Sequence, residues 1–506
     1  MTTNPSVTRA PEVGPDPRRW KALSVLALVQ LMLLLDATVV NVALPTIKSD
    51  LGFSDSGLTW VVSSYLLAAG GLLLLGGKVA DLIGRRRTFC LGTIVFAGAS
   101  LLAGAAQSPA MLIAGRVLQG VGEGLAAPAA LSMVALLFTS DEERPKAFGI
   151  WGGLAGLGST LGVILSGVLV SAASWRWVFY INLVVAALAL AAISRVTDES
   201  RAPRGKRLDV PGAVLVTGGL VALIHGLLAS ATQPWTSGAV AVPLVIAVAA
   251  LAGFVAVERR VSQPLLPLSF FNSRTRAIGY ITVVANASAS AAVFFVLVLY
   301  MQGTLGYSAL QAGLAWLPFC LAFMPGLFAS MRLMGKRGLR VTLFTGLALS
   351  AAGVSLMARL PVDGSYLQDV LPAMIVTSLG FAITAPAMQN AATSDLSSAD
   401  AGIGSGVVTT VQQLGQALGL AVLVSVAVAR TSSQQAAGVG DVVARTAGYR
   451  LAFAVAAAVL AVGAVAGPLL VRRGRTAPTA EEATVADTFP AETSPSGPRQ
   501  TIDAPS

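Results

Sequence analysis

Charged residues are scarce in this chain: 11% of its 506 residues are Asp, Glu, Lys or Arg, whereas 55% are apolar. A soluble domain of ordinary composition is about a quarter charged. The sequence has one histidine and two cysteines, Cys90 and Cys320, both inside apolar runs. So few Cys and His residues indicate neither a disulfide framework nor a metal cluster. The composition instead requires that most residues avoid water, which indicates a lipid environment.

The groups that enzymes use are also few. No glycine-rich Walker loop for nucleotide phosphates occurs in the sequence. One histidine and two separated cysteines leave little for nucleophilic chemistry. We therefore expect no enzymatic activity, no cofactor and no bound metal.

Fourteen apolar runs are long enough to span a bilayer, which takes roughly 20 residues. The predicted spans are 22–46, 57–79, 88–106, 110–138, 147–171, 177–194, 209–229, 238–257, 277–301, 309–331, 340–360, 369–391, 402–429 and 449–471. The tails, 1–17 and 476–506, are rich in Pro, Ser, Thr and Ala and lack apolar periodicity. We predict that both tails are disordered.

The basic residues predict the orientation of these spans. An even number of spans puts both termini on one side of the membrane. If that side is the cytoplasm, most of the 34 Lys and Arg residues lie on cytoplasmic tails, loops and helix ends, as the positive-inside rule requires. The net charge of +10 is then a topology signal and does not indicate a nucleic acid partner. We expect a multi-pass protein of the bacterial cytoplasmic membrane with both termini in the cytoplasm.

Two basic linkers divide the predicted spans into six, two and six. The expected units are an N-terminal six-helix bundle at 18–195, a linker with two extra helices at 196–260, and a C-terminal six-helix bundle at 261–475. The tails 1–17 and 476–506 flank them in the cytoplasm. Two facing helix bundles are typical of secondary transporters.

Ionisable residues inside the predicted spans are rare, and each costs on the order of 3 kcal/mol at the bilayer centre. They are Asp36, Arg116, Glu123 and the single histidine, His225. Arg116 and Glu123 are two helical turns apart and share a helix face. Counting the rise along spans 1 and 4 puts Asp36 and Arg116 at similar depths, so these two side chains can meet. The interpretations are a transport role or a static ion pair. For His225 we favour a structural role.

Several segments resemble the signature motifs of one transporter family. They occur in the expected order at 35–45, 77–87, 116–122, 175–182, 300–303 and 412–419. Together they are similar to the 14-helix drug–proton antiporter branch of the major facilitator superfamily. The resemblance implies an all-α integral membrane protein with fourteen transmembrane helices, in which two helices are inserted between two six-helix bundles.

This resemblance also implies a function. We predict proton-coupled efflux of small lipophilic drugs or antibiotics, cationic or neutral, by alternating access. The expected partners are the small-molecule substrate, protons and membrane lipid, and we expect a monomer. Coupling is assigned to Asp36, Arg116 and Glu123, with Asp36 held ionised by the arginine and Glu123 the better candidate to carry a proton.

Two further sets of residues complete the prediction. The loop between spans 2 and 3 is assigned to conformational gating, with Asp81 expected near the start of span 13 at 401–406. Its residues are Gly77, Asp81, Gly84, Arg85 and Arg86. A set of amides is assigned to the substrate cavity. These are Asn41, Gln119, Asn286, Gln302, Gln389, Gln412 and Gln413.

One motif departs from the family pattern. In span 5 the family carries a Gly-Pro pair followed, two residues on, by Gly-Gly, whereas this chain has Val163 for the proline and Ser166 for the first of those glycines. The missing proline removes an expected kink. An uptake permease or uniporter of the same fold therefore stays an alternative, and a non-transporting membrane sensor is a more remote one.

Overall fold

The structure, a computed structural model, describes residues 18–138, 140, 143–200, 209–230, 233–261, 264–266, 272–394 and 401–470. All regular structure in these ranges is helical. The helices are α1 Arg19–Leu51, α2 Asp55–Ile83, α3 Arg85–Gly104, α4 Pro109–Leu137, α5 Glu143–Ala172, α6 Trp177–Val196, α7 Val210–Ala229, α8 Gly238–Glu258, α9 Arg274–Gly303, α10 Ala309–Ala315, α11 Leu317–Met357, α12 Leu371–Ala392, α13 Ala401–Ala436 and α14 Asp441–Leu470. The tails predicted to be disordered, 1–17 and 476–506, lie outside the described ranges.

Short polar caps mark where several helices begin. Ser54 accepts a hydrogen bond from the Gly57 amide at 3.0 Å, and Ser308 forms a capping box with Gln311. At the other end of α1, Gly52 adopts a left-handed conformation with φ 71°. These caps satisfy backbone groups that a helix end leaves free.

Eleven helices among the described residues are long and apolar enough to cross a membrane, or twelve if the bent α2 is one span. One of the eleven, Ala309–Met357, combines α10 with the whole of α11. The predicted span 309–331 lies within it, and the predicted span 340–360 begins within it and ends just beyond Met357.

The long helix α11 consists of two legs that run in opposite directions. Gly338 interrupts it with φ 77° and ψ 176°, which are not helical angles. Gly326 before this break packs against Ala382 of α12, and Gly346 after it packs against Thr384 of the same helix. In a straight helix residues so far apart would be separated by about 30 Å. The chain therefore reverses at Gly338, as the two separate predicted spans require.

The helix ends meet in two sets, which define two sides of the bundle. On the side where α1 begins, here called the terminal side, Arg19 pairs with Glu143 at the start of α5 at 2.7 Å. On the opposite side, the far side, Asp50 near the end of α1 pairs with Arg176 at 2.7 Å. The Tyr300 hydroxyl donates to the Pro361 carbonyl at 2.6 Å on this far side.

Helices α1–α6 pack with one another and form the first helix group, and helices α9–α14 form the second. Small residues allow close approach in both groups, as is usual between membrane helices. In the first, a Cβ added to Gly76 of α2 would lie 1.9 Å from the Gly124 carbonyl of α4. In the second, a Cβ at Gly353 would lie 2.4 Å from Thr377 Oγ1.

The inserted helices α7 and α8 pack against each other, and α7 also contacts one helix of each group, α2 and α13. A Cβ on Gly71 of α2 would lie 2.1 Å from the Thr217 hydroxyl of α7. On the other flank, the Ser425 hydroxyl of α13 donates to the Leu227 carbonyl at 2.8 Å. The hairpin formed by α7 and α8, here called the inserted hairpin, therefore lies beside the interface between α2 and α13.

The two groups touch each other through α2 with α13, through α5 with α10 and α11, and through α1 with α9 and α10. The contacts of α5 with α10 and of α1 with α9 are on the far side. The Gln302 side chain near the end of α9 donates to the Val42 carbonyl of α1 at 2.9 Å. A Cβ on Gly167 of α5 would lie 3.0 Å from the Ala309 carbonyl of α10. The far side is thus the closed end of the interface between the groups.

Candidate functional site

The structure brings Asp36 and Arg116 together inside the first helix group. Arg116 Nη1 lies 2.5 Å from Asp36 Oδ2, and both residues are 1% exposed. The guanidinium is held in place by a second bond, from its Nε to the Val61 carbonyl of α2 at 2.9 Å. Its carbon also lies 4.2 Å from the centre of the Tyr65 ring, a favourable cation–π distance.

Three neutral polar side chains surround this ion pair. Gln119 Nε2 donates to Asp36 Oδ1 at 3.0 Å and to Ser100 Oγ at 2.8 Å, while its Oε1 accepts from Arg116 Nη1 at 2.8 Å. Asn182 Nδ2 of α6 donates to Asp36 Oδ1 at 2.7 Å. The carboxylate and the guanidinium are therefore satisfied by four helices, α1, α2, α4 and α6. A buried pair needs such additional bonds because desolvation is costly.

Gln119 is predicted from the sequence to line the substrate cavity, whereas Ser100 and Asn182 have no predicted role. The structure instead makes Gln119 a partner of Asp36 and fully buries it. Asn182 is the last residue of the segment 175–182 and a polar residue at the start of an apolar run. A polar residue in a signature motif at the start of an apolar run is the feature of the sequence that could have indicated a role for Asn182.

Glu123 does not pair directly with Arg116 among the bonds that the structure describes. Its Oε1 accepts a hydrogen bond from Gln413 Nε2 of α13 at 2.9 Å, so it connects the first helix group to the second. The Tyr65 hydroxyl lies beside the same carboxyl group, and the Tyr65 ring covers Arg116. Tyr65 thus bridges the ion pair and Glu123, a role for which the sequence carried no signal.

The loop between α2 and α3 is organised around Gly84. This residue has φ 116°, a conformation that only glycine adopts without strain. Asp81 accepts from Arg85 Nη2 at 2.9 Å, and a Cβ added to Gly77 would lie 3.8 Å from the Pro128 Cβ of α4. The expected contact of Asp81 with the start of α13 stays a prediction.

Glu199, which follows α6, caps the start of α3. Its carboxylate oxygens accept from the Arg86 and Arg87 amides, each at 3.1 Å, where a helix start favours negative charge. The Arg86 guanidinium donates to the Thr197 carbonyl at 3.0 Å. A Cβ on Gly84 would lie 2.4 Å from Glu199 Oε1. Gly84 therefore supplies both the backbone angle and the space for this carboxylate, which sequence reasoning missed.

The altered span-5 motif lies between α1 and the second helix group. Ser166, which stands where the family has a glycine, donates from its hydroxyl to the Val39 carbonyl of α1 at 2.5 Å. A Cβ on Gly162 would lie 2.1 Å from the Thr38 hydroxyl. The side chain of Val163 lies outside the described part of the chain.

The remaining amides are placed differently from one another. Asn41 donates to the Ala37 carbonyl of its own helix at 3.4 Å. Asn286 is 7% exposed, and its Oδ1 has no hydrogen-bond partner among the described residues. Gln389 is exposed near the terminal end of α12, and Gln412 is half-buried on α13. Gln302 bonds α1 across the interface.

A cavity of about 650 Å³ lies between α9, α13 and α14, and its lining is apolar apart from Tyr280 and Ser288. It contacts none of Asp36, Arg116 and Glu123. Within the described ranges no group of three His, Cys, Asp or Glu side chains is placed to hold a metal ion. The polar centre of the molecule is therefore the Asp36 network with Glu123 beside it.

Comparison with known proteins gives the same family as the motifs. The family model for the Major Facilitator Superfamily matches residues 26–420. The puromycin resistance protein pur8 of Streptomyces alboniger is 40% identical over 465 residues, covering 90% of this chain and 92% of that protein. The lincomycin resistance protein of Streptomyces lincolnensis is 38% identical, covering 82% of this chain and 86% of its own length.

Two further matches extend the comparison. The cephamycin export protein CmcT of Amycolatopsis lactamdurans is 37% identical, covering 90% of this chain and 96% of that protein. Among solved structures, an auto-inhibited POT family peptide transporter superposes with a TM-score of 0.65 at 17% identity, covering 90% of this chain and 97% of that one. At that identity the last match shows the fold alone.

Proposed function

Because this chain belongs to the Major Facilitator Superfamily, we propose that it exports small lipophilic drugs or antibiotics across the bacterial cytoplasmic membrane in exchange for protons. The observation that carries the proposal is the buried polar centre, in which Asp36 is paired with Arg116 while Glu123 reaches the second helix group. Its relatives are named for resistance to puromycin and lincomycin and for export of cephamycin. Export of this kind is therefore the activity that we assign to this chain.

The proposed topology has fourteen spans with both termini in the cytoplasm. The reversal at Gly338 supports two spans within α10 and α11. Helices α2 and α5, with 29 and 30 residues, are each long enough for one more. The terminal side then faces the cytoplasm, which agrees with the excess of basic residues on that side. The proposed units remain 18–195, 196–260 and 261–475, with cytoplasmic tails at 1–17 and 476–506.

The contacts between the groups support the proposed alternating access. The far-side contacts of α1 with α9 and of α5 with α10 close the external end in this conformation. No comparable packing joins α4 with α11 or α12 among the described residues. We assign the structure to the cytoplasm-facing state, and export requires the groups to rock until the external end opens.

Protons provide the driving force in this scheme. A proton that enters gains about 2.3 kcal/mol per 100 mV of membrane potential. The guanidinium of Arg116 pairs with the Asp36 carboxyl group, whereas Glu123 makes its described hydrogen bond to Gln413 of the second helix group. Glu123 is thus the group that we assign to carry the coupling proton, with Asp36 contributing to substrate choice.

Two acids and one arginine in the polar centre favour a cationic or neutral substrate over an anionic one. Neutralising Glu123 lowers the cost of closing the groups around it, because a lone carboxylate in a dry interior is expensive. A cationic substrate bound from the cytoplasm then competes with the proton for the same carboxylate. This competition is the proposed basis of the exchange.

Inverted membrane vesicles test the proposal, with ethidium and puromycin as probes. Energised vesicles that contain the protein should accumulate a probe, and nigericin, which collapses the pH gradient, should abolish accumulation. Glu123→Gln should lose uphill transport while folding normally, whereas the exposed acid variant Asp441→Asn should behave as wild type. Proton-coupled efflux at the wild-type rate in an Asp36→Asn, Glu123→Gln double variant contradicts the proposal.

The direction of transport separates export from the alternatives. Cells that express the protein should become more resistant to the probes, whereas an uptake permease would make them more sensitive. A membrane sensor would form no probe gradient in vesicles.

A further inference from the structure

The contact between Glu123 and Gln413 joins the two helix groups near the middle of α4. Gln413 Nε2 donates to Glu123 Oε1 at 2.9 Å. The neighbouring helix α2 packs against both α4 and α13, and Gly70 makes room there. A Cβ added to Gly70 would lie 3.1 Å from the Gln413 Cβ and 3.5 Å from its Oε1. Close approach of this amide to the acid therefore depends on a glycine at that point of α2.

This one hydrogen bond leaves two buried acceptors without a donor. Neither Glu123 Oε2 nor Gln413 Oε1 has a hydrogen-bond partner among the described residues. An ionised carboxylate only accepts, and an amide oxygen only accepts, so these two atoms cannot satisfy each other. Leaving buried acceptors unsatisfied destabilises the contact. The Tyr65 hydroxyl, which lies beside this carboxyl group, donates to the Leu33 carbonyl at 3.5 Å, so the contact between Glu123 and Gln413 itself holds one donor hydrogen where two bonds are possible.

A proton on Glu123 supplies the second donor hydrogen. The acid O–H then donates to Gln413 Oε1, while the other acid oxygen continues to accept from Gln413 Nε2. The Glu123 acid and the Gln413 amide then form a pair with two hydrogen bonds, and neither side chain keeps an unsatisfied acceptor. When the proton leaves to water, one of the two bonds is lost and both acceptors are again without a donor.

We propose that Gln413 is the positioning residue through which the second helix group senses the proton on Glu123. The inference rests on the proposed function, in which Glu123 carries the coupling proton. Its new content is that a neutral amide on α13 binds the protonated acid in two places and the ionised acid in one. Protonation therefore stabilises the conformation seen here, in which the far side is closed.

The charged and titratable groups that face Glu123 belong to the first helix group. They are Tyr65 of α2, Asp36 of α1 and Arg116 of α4. Asp36 and Arg116 form an ion pair, so their charges largely cancel at Glu123. The Tyr65 hydroxyl donates to the Leu33 carbonyl at 3.5 Å. The residue that α13 places against Glu123 in the described structure is the neutral Gln413, so the proton on Glu123 is the charge that changes.

Distance measurements on the full chain in lipid nanodiscs test this inference. Spin labels at Ala173→Cys and Gly303→Cys report the separation of the groups on the far side, because both positions are exposed there. Cys90 and Cys320 are replaced by alanine in this background. The fraction with a closed far side should fall in the wild type as the pH is raised. In Gln413→Leu this pH response should be strongly reduced, with the closed-to-open ratio at acidic pH about tenfold lower.

Three matched variants complete the experiment. Gln413→Glu restores a pair that one proton can bridge, so the pH response should return. Glu123→Gln should hold the far side closed at every pH, since its amide donates to Gln413 Oε1 without a proton. Gln416→Leu, one turn further along the same helix, should leave the response unchanged. Thermal unfolding of each purified variant shows that a lost response is not a lost fold.

The outcomes distinguish a failure of the role of Gln413 from a failure of the coupling role of Glu123. A normal pH response in Gln413→Leu, together with its loss in Glu123→Gln, overturns the role of Gln413 and leaves the coupling role of Glu123 standing. A normal pH response in Glu123→Gln overturns the coupling role of Glu123 and with it the inference.

Discussion

The two helix groups differ in the kind of polar side chain that they hold inside the membrane. The first holds charges at its centre, and Asp36 and Arg116 are surrounded by donors and acceptors from four helices. The second group holds neutral amides and hydroxyls, and several of their acceptors, among them Asn286 Oδ1 and Gln413 Oε1, lack a partner among the described residues. The ion pair of the first group is thus satisfied internally, while Glu123 Oε2 of the same group and the amides of the second group present acceptors that a proton or a ligand can satisfy.

The sharpest test of this contrast is Arg116→Ala. The substitution leaves Asp36 buried without its cation, and we expect the purified protein to lose about 3–5 kcal/mol of stability. Arg450→Ala is the matched change in the second group, where the guanidinium donates to the Leu360 carbonyl, and it should cost about 1.5 kcal/mol. Thermal unfolding in detergent measures both.

A double variant separates structure from transport at the same pair. Replacing Asp36 and Arg116 together by leucine and methionine should recover most of the stability while uphill efflux stays lost. Recovery of efflux as well would mean that the pair is only structural.

The equivalent loops on the terminal side of the two groups turn at Gly84 and at Gly338, and these two glycines can be compared. Both glycines have positive φ, 116° and 77°, so alanine strains either one by about 1–3 kcal/mol. A Cβ at Gly84 also meets Glu199, whereas nothing lies within 4 Å of a Cβ at Gly338. Gly84→Ala should therefore be the more destabilising by about 1 kcal/mol. Chemical denaturation measures the difference, and Glu199→Ala in the Gly84→Ala background should reduce it. Equal losses at the two sites would argue against the Glu199 contact.

Buried asparagines in the two groups give a smaller contrast. Asn182 donates to Asp36 at 2.7 Å, and Asn182→Leu should cost about 1–3 kcal/mol by removing a bond to a buried charge. Asn286→Leu removes an acceptor that has no described partner, so its cost should be less than half as large. Melting curves of the two variants, compared at one detergent concentration, check the ratio. A larger loss for Asn286→Leu would reverse the proposed contrast.

His225 on the inserted hairpin should show the smallest effect. Its side chain is exposed, and its ring centre lies 6.3 Å from that of Trp60 in a tilted arrangement. His225→Ala should leave efflux and its pH dependence close to wild type in the vesicle assay. Loss of transport with normal folding would place the hairpin inside the mechanism.

Much of the fold could be predicted from the sequence, because the cost of placing each residue in lipid depends mainly on that residue. Length and hydropathy separate the spans 309–331 and 340–360, and Gly338 does reverse the chain between them. The family and its drug-efflux branch also followed from motif order, since 35–45, 77–87 and 116–122 lie on consecutive parts of one bundle. The rarity of charge inside apolar runs likewise singled out Asp36, Arg116 and Glu123.

Tertiary structure alone decided which side chains meet. Asn182 reaches Asp36, Gln413 reaches Glu123, and Glu199 caps α3 across 146, 290 and about 112 residues of chain. Such contacts depend on the rotation and register of each helix, which are set by small-residue packing between helices rather than by any local pattern. The sequence by itself therefore determined the spans and the charges that had to be neutralised in lipid. The packing decided which partners neutralise them, because a hydrogen bond requires a distance that only the assembled helices define.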